Sequence, residues 1–396
     1  MKCLVPDTGI TINPIGEIVL CCAGDNVAIE HIGNIEDVSE FFNSKVYNEI
    51  RDKFRKKEFP EQCNVCKVHW EAGRIARFDS YNRFDFPNYK EDISNPIIPI
   101  RFLEITTSNI CNQMCVTCSG KYSNKWAPAE AYAVQVGLHW RNENHKFHTK
   151  QYKMTDEDVE KILRIVPNLQ HLTIKGGEPF ADPNNIKILE KLAETNPKCR
   201  VEICTNFQLV TDKVIALLHR IDEVHIQASI DGVGPLYNWI RGGNFEKTVE
   251  NINRYYEYGN RKIVIVSTVS IYNWYHLPDL IEYWKDIEGV QRISMANIVT
   301  FPMYCSPLYL PVHQITKGKK DFFDYLESYE YLEEHDVYWT NDLIVSGIGN
   351  MKSIQPTSDP DVEIIRERMK KWIDFCLIAR MNDEDVYELA PHLKEI

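Results

Sequence analysis

With 396 residues, 44% of them hydrophobic, and a formal net charge of −12, the chain can bury a sizeable core without disulfides and is set against charge-driven binding to a nucleic-acid backbone. No stretch reaches the ~20 uninterrupted apolar residues of a membrane span. The opening segment MKCLVPDTGITINPIGEIVLCC, broken by Pro6, Asp7, Asn13 and Pro14, lacks the apolar run of a secretory signal, so the chain is expected in the cytoplasm.

In chain order, residues 1–92 form a first unit. TINPIGEIVLCC alternates polar and apolar residues around Asn13-Pro14 and Gly16, as a β-hairpin would. Residues 35–59 have helical periodicity, with Val38, Phe41, Phe42, Val46, Ile50 and Phe54 along one face, and Pro60 ends the run. Cys3, Cys21, Cys63 and Cys66 are spread over these elements. Disulfides are rare in a reducing compartment, so four such thiols point to a metal centre, either an iron–sulfur cluster or a structural zinc. Cys22 could replace Cys21 as a ligand. Residues 79–98 read as a linker.

Residues 93–300 repeat strand and helix six times. Apolar runs at 101–107, 170–175, 200–205, 224–230, 262–269 and 291–298 alternate with helical stretches near 155–166, 184–195, 211–220, 244–258 and 276–287. Thr155 with Asp158, and Asp182-Pro183, are expected helix starts. Such an order implies parallel strands with right-handed crossovers, in a doubly wound sheet or a partial barrel. In VHIQASID and VEICTN polar side chains alternate with apolar ones, and Glu104 and Lys175 interrupt other strands. They predict either a polar, ligand-holding interior or buried ion pairs and hydrogen bonds.

After the first of these strands, TTSNICNQMCVTCSG places Cys111, Cys115 and Cys118 in a Cys-x3-Cys-x2-Cys arrangement. Three thiolates can hold one face of a cubane and leave its fourth iron open; alone, the motif also suits a zinc loop. Residues 119–153 are an insertion, read as a solvated loop or a lid, whose His145 and His148 are weaker metal candidates. The segment 301–396 reads as mostly helical. Within it Cys305 is read as a packed thiol or a substrate-facing one, and the run 317–320 as a solvated helix start.

The triad is joined by LTIKGGEPF, with Gly176, Gly177, Glu178 and Pro179 at the end of the next strand. With both motifs, residues 100–300 resemble the radical S-adenosylmethionine (SAM) superfamily. The resemblance implies an α/β fold, a partial (β/α)6 TIM-type barrel with its site at the carboxyl ends of the strands. It places Gly176, Gly177, Glu178 and Pro179 at the methionine amino group of SAM, and Thr205, Asn206, Ser229, Asp231 and Arg241 near the ribose or the methionine carboxylate. It also implies the chemistry: a reduced [4Fe–4S] cluster passes one electron to the sulfonium, and the resulting 5′-deoxyadenosyl radical removes hydrogen from a substrate. The N-terminal cysteine set resembles the twitch domain, a half-size relative of the SPASM domain that holds an auxiliary [4Fe–4S] cluster. Such domains usually follow the barrel; here the unit precedes it. The division is then 1–92, 93–300 and a helical extension, 301–396. Implied partners are a flavodoxin- or ferredoxin-type electron donor and a peptide or protein substrate. The alternatives are oxidation or rearrangement of a sugar, aminoglycoside or nucleotide, or a non-catalytic scaffold.

Overall fold

Asn13 closes the hairpin that the sequence predicts. Its Oδ1 accepts the amides of Ile15 and Glu17, each at 3.1 Å, and Gly16 takes the positive φ of 82° that the turn needs. In this computed structural model β1 (Gly9–Ile12) therefore pairs antiparallel with β2 (Glu17–Val19), and β3 (Ala28–His31) adds to β2. The structure describes residues 3–22, 27–71, 97–135, 147–300, 302–328, 332–334, 337–339, 343–380 and 385–396. Most of the expected linker, and His145, fall outside them.

The helical run after the hairpin is two helices, Val38–Phe42 and Lys45–Arg55. Asp37 caps the first, and the chain restarts at Ser44 in an extended conformation. That break shifts the helical phase. Tyr47, Ile50, Arg51 and Phe54 face inward, and Val46, expected on the buried face, is 45% exposed. Arg51 is the unexpected member of this core. Its guanidinium donates to the carbonyls of Pro6 (2.8 Å) and Phe42 (2.7 Å) and to Asn48 Oδ1 (2.9 Å), and lies 4.4 Å from the Phe42 ring centroid. A buried charge costs several kcal/mol unless so satisfied, so this residue ties the start of the chain to both helices.

The chain divides into two compact units. The first takes in residues up to Ile110 with Gln151–Cys204 and Asp212–His225. In it β1 pairs in parallel with β4 (Phe102–Ile105), which pairs with β5 (His171–Ile174), which pairs with β6 (Arg200–Thr205). The N-terminal hairpin is thus continuous with the strands that follow it. Helices Asp156–Ile165 and Pro183–Thr195 connect them, and the expected caps form: Thr155 Oγ1 accepts the Asp158 amide at 3.1 Å, and Asp182 Oδ1 that of Asn184 at 3.0 Å.

One side of these strands is apolar and buried, with Leu103, Leu172 and Val201 fully enclosed. The other carries Thr11, Glu104, Thr173 and Glu202 side by side in register. Lys175 bonds Glu104 at 3.0 Å, and Glu202 accepts Arg200 at 2.6 Å and lies 3.8 Å from His171. Burial pushes His171 down to about 4. The unfolded chain takes up this proton near pH 6.5 and the folded chain only near 4, so stability is fully present above pH 6.5 and is lost as pH falls towards 4. The loss should reach about 3 kcal/mol, and His171→Gln should flatten that part of a denaturant-midpoint-versus-pH curve.

The second unit comprises Cys111–Lys150, Thr205–Thr211 and Ile226–Ile396. Here β7 (Val224–Ser229), β8 (Ile263–Val269) and β9 (Val290–Ile298) run parallel, with helices Gly234–Arg241, Phe245–Gly259 and Leu277–Trp284 between them. Along β7 Ile226 and Ala228 are buried while Gln227 and Ser229 are half-buried, the alternation read from the sequence. Parallel β/α order within both units is that of the expected α/β class. The C-terminal extension holds helices Val312–Ser328 and Val362–Arg380 but also three short strands, β10 (Leu332–Glu334), β11 (Val337–Trp339) and β12 (Ile344–Ser346), the last parallel to β9. Three residues are too few to show a period of two. Residues 317–320 lie inside a helix rather than at its start: Lys317 and Lys320 pair with Asp321 and Asp324, while Gly318 packs against the Trp274 indole. No helix among the described residues is long and apolar enough to cross a membrane.

Candidate active site and cluster ligands

The cysteine loop of the second unit is held by its backbone. Cys111 donates its amide to Asn124 Oδ1 at 3.0 Å, and the Cys118 amide bonds the Cys115 carbonyl at 3.0 Å. That carbonyl also accepts the Trp126 indole at 3.0 Å. The next residue, Val116, donates to the Ile240 carbonyl at 2.9 Å and accepts the Trp372 indole at 3.2 Å. Trp126 and Trp372 stack at 5.1 Å, so the loop sits on a wall of two buried indoles. Downstream, fully buried Glu130 accepts the amides of Gly120 (2.8 Å) and His148 (2.7 Å), which pins the two ends of the insertion. Cys111 and Cys115 are each 8% exposed and Cys118 is half-buried. Cys305 is fully buried, with its thiol at 3.6 Å from the Val116 carbonyl, and is the packed thiol of the two readings.

Behind Cys115 stands an ion pair. Asp231, 1% exposed, accepts Arg241 Nη1 at 2.9 Å on one oxygen and the Thr268 amide at 2.7 Å on the other, while its carbonyl accepts Asn273. Each carboxylate oxygen thus accepts one bond, and the pair orients Arg241. Burial works against the Arg241 charge, but Cys115 and Asp231 hold its pKa above the ordinary value. Its Nε is buried without a hydrogen-bond partner among the described residues. Burial pushes the Cys115 thiol up, and Arg241 opposes that rise. Thr205 and Asn206 cap their own turn, accepting the amides of Phe207 (2.9 Å) and Gln208 (3.0 Å), and the Asn206 amide group reaches Asn112 of the cysteine loop at 2.7 Å. Ser229 ends β7.

In the first unit Gly176-Gly177-Glu178-Pro179 runs against residues 106–110. The amides of Gly177 and Glu178 donate to the carbonyls of Ser108 (3.4 Å) and Ile110 (2.7 Å). A Cβ on Gly177 would lie 2.1 Å from the Ile110 oxygen, and Gly176 has φ 140°. Close approach of two backbones, not only a ligand, therefore demands these glycines. Glu178 is 1% exposed and turns its carboxylate onto the Phe180 amide at 3.2 Å.

The same unit holds the N-terminal cysteines. Cys3, Cys21, Cys63 and Cys66 are all buried and none is in a disulfide. Burial, then the neighbouring Cys21, Cys63 and Cys66, raises the Cys3 thiol; burial, then Cys21 and Cys66, raises Cys63. The half-buried Cys22 turns elsewhere: it acts on Lys175 and Cys204. Burial and their action on one another group Cys3 with Cys21, Cys63 and Cys66, a set able to serve one shared metal centre.

Sequence comparison agrees. The model of the radical SAM superfamily matches residues 105–283, and that of the SPASM iron–sulfur cluster-binding domain matches residues 3–67. The chain belongs to the radical SAM superfamily. It carries its SPASM domain at the N-terminus, and its cofactors are SAM, a [4Fe–4S] cluster that binds SAM and an auxiliary [4Fe–4S] cluster. Among solved structures, anSMEcpe with bound AdoMet and Cp18Cys peptide is 19% identical over 58% of this chain and 61% of that one, with a TM-score of 0.40. Streptococcus suis SuiB bound to precursor peptide SuiA is 17% identical over 87% of this chain and 72% of that one, at 0.42. Kitasatospora setae TsrM, a radical SAM methyltransferase, is 10% identical over 52% and 37%, at 0.34. The chain thus spans 61% of the anSMEcpe chain it matches. No curated protein matches it.

Some participants in this radical SAM site escaped sequence reading. Asn124, Trp126, Glu130 and Trp372 act through backbone contacts that no motif spacing announces. Arg51 hid in a basic run, although its three- and four-residue steps from Tyr47 and Phe54 were a usable signal.

Proposed function

We propose that this radical SAM enzyme removes a hydrogen atom from a peptide or protein side chain, with Cys111, Cys115 and Cys118 holding the cluster that binds SAM and Cys3, Cys21, Cys63 and Cys66 the auxiliary one. An electron donor of flavodoxin or ferredoxin type serves it, and the working segments are 1–92, 93–300 and 301–396. When bound, the cluster and SAM together supply a 5′-deoxyadenosyl radical. The residues do the rest. Arg241 offers its open Nε–H to the methionine carboxylate, and Asp231 keeps the guanidinium in place. Gly176, Gly177, Glu178 and Pro179 receive the methionine amino end, and Thr205, Asn206 and Ser229 line the ribose side. The half-buried Arg241, oriented by Asp231 and with its Nε buried and open, is the observation that carries SAM binding. The pairing of a SPASM domain with a radical SAM domain supports the peptide reading.

A second reading, a small polar substrate, is favoured by the row Thr11, Glu104, Thr173 and Glu202 with Lys175 on Glu104. The Thr11 hydroxyl is buried without a hydrogen-bond partner among the described residues, and Lys175 is 33% exposed at its side chain. Deuterium transfer decides. Anaerobic enzyme with dithionite and SAM is given deuterated peptides encoded beside its gene, or deuterated sugars and aminoglycosides. Label is expected in 5′-deoxyadenosine from a peptide. Label from the polyols alone would favour the second reading, and no 5′-deoxyadenosine under any condition would remove both.

A further inference from the structure

Between Cys111 and Cys115 in the chain stands Gln113, a polar residue only 1% exposed. Its backbone amide donates to Cys111 Sγ at 3.4 Å, and its Oε1 accepts the Cys115 thiol at 3.8 Å. Through backbone and side chain, one residue therefore meets two sulfurs of the triad. The other end of the side chain, Nε2, donates to the Tyr237 hydroxyl at 3.3 Å. Tyr237, fully buried on helix Gly234–Arg241, lies 3.0 Å from Thr248 Oγ1. Thr248 can turn its own proton to the Asn244 carbonyl at 3.2 Å or to Tyr237. Gln208 Nε2 bonds that same carbonyl at 2.6 Å whichever way Thr248 turns. Gly243 leaves room for both glutamines: a Cβ there would stand 2.3 Å from Gln113 Nε2 and 2.7 Å from Gln208 Nε2. A buried primary amide is costly unless its two ends are used, and here each end has a partner.

We propose that Gln113, oriented by Tyr237, is a positioning residue that donates a side-chain hydrogen bond to the iron-bound sulfur of Cys115 and so makes the SAM-binding cluster easier to reduce. A cysteine bound to iron has given up its proton, so Oε1 can no longer accept from it and would face an electron-rich sulfur. The nitrogen and oxygen of an amide exchange places by a half-turn about the last side-chain bond. That turn sets Nε2 toward the sulfur and Oε1 toward Tyr237. The hydroxyls accommodate it: Tyr237 then donates to Oε1 and accepts from Thr248, which leaves the Asn244 carbonyl to Gln208. A cluster bound by three thiolates is anionic, and an added electron makes it more so. N–H donors on its sulfurs stabilise the reduced form more than the oxidised one. The backbone amide of Gln113 on Cys111 acts in the same direction.

The proposal rests on the cysteine triad as cluster ligand, and the test separates the two. Full-length, anaerobically reconstituted wild type, Gln113→Leu, Tyr237→Phe and the double variant are titrated at controlled potential and followed by EPR. The signal read is the component whose g-values move on adding SAM. At the potential where the wild-type cluster is half reduced, Gln113→Leu should lower the reduced-to-oxidised ratio about tenfold, a shift of about 59 mV for one electron. Leucine is close to glutamine in bulk and leaves the backbone amide on Cys111, so a role in packing alone would not move the ratio. Tyr237→Phe removes the partner of Oε1 and should lower the ratio about threefold, while the double variant should fall no further than Gln113→Leu. An unchanged ratio in either single variant, or a double variant in which the two falls multiply, overturns the proposal. Should Gln113→Leu fail to hold a cluster, Tyr237→Phe decides alone: a lowered ratio supports the role of Gln113, and an unchanged one refutes it. A wild type with no SAM-sensitive signal would instead overturn the triad assignment, and Gln113 with it.

Discussion

Cys115→Ala should lose about four of the roughly eight irons that two cubanes bring, and its 5′-deoxyadenosine formation should fall to the level of an enzyme-free control. Of the three triad cysteines, Cys115 has the most determined surroundings: its carbonyl takes both the Trp126 indole and the Cys118 amide, and Arg241 opposes the rise that burial imposes on its thiol. The remaining two thiolates cannot hold three corners of a cube. The auxiliary set lies in the other unit of the chain and should keep its irons, so residual absorbance near 400 nm is an internal control for folding. A variant that kept eight irons and still cleaved SAM would show that these sulfurs are not the ligands.

The second large effect separates two adjacent cysteines. Cys21→Ala should lose about four irons, spare the uncoupled cleavage of SAM and stop conversion of substrate, as should Cys63→Ala. Cys22→Ala should keep all its iron. The reason is direction: Cys21 is buried and raises the thiols of Cys3 and Cys63, whereas Cys22 is half-buried and acts on Lys175 and Cys204. Iron loss from Cys22→Ala, with none from Cys21→Ala, would reverse the assignment. A zinc content of one per chain with only four irons would replace the auxiliary cube by a structural ion.

How far the sequence carried this reading depended on the range of the forces involved. The hairpin at Asn13 and Gly16, the caps at Thr155 and Asp182, and the strand and helix order of the repeats all follow from neighbours a few residues apart, where side chain and backbone meet directly. The phase of the helix at 45–55 did not follow, because the break at Ser44 turned Tyr47 inward in place of Val46. Strands β10, β11 and β12 are too short for periodicity to show. The cysteine ligands were visible as spacings, but what surrounds them was not. The Trp372 indole meets the Val116 carbonyl across 256 positions, from a helix with no motif of its own. Asp231 was read as a ligand-facing residue. Its bonds to Arg241 and the Thr268 amide join residues 10 and 37 positions away and could not be read from spacing.

The parallel pairing of β1 with β4 bears on how this enzyme can be taken apart. Four consecutive register pairs, from Gly9 with Phe102 to Ile12 with Ile105, make the first strand of the SPASM segment the flank of the first repeat strand. Excising the amino-terminal hundred residues would not remove a detachable cassette. It would bare a row of amides and carbonyls along β4 and invite edge-to-edge aggregation. Exchange of this segment between relatives should succeed only when the donor brings its own flanking strand in the same register.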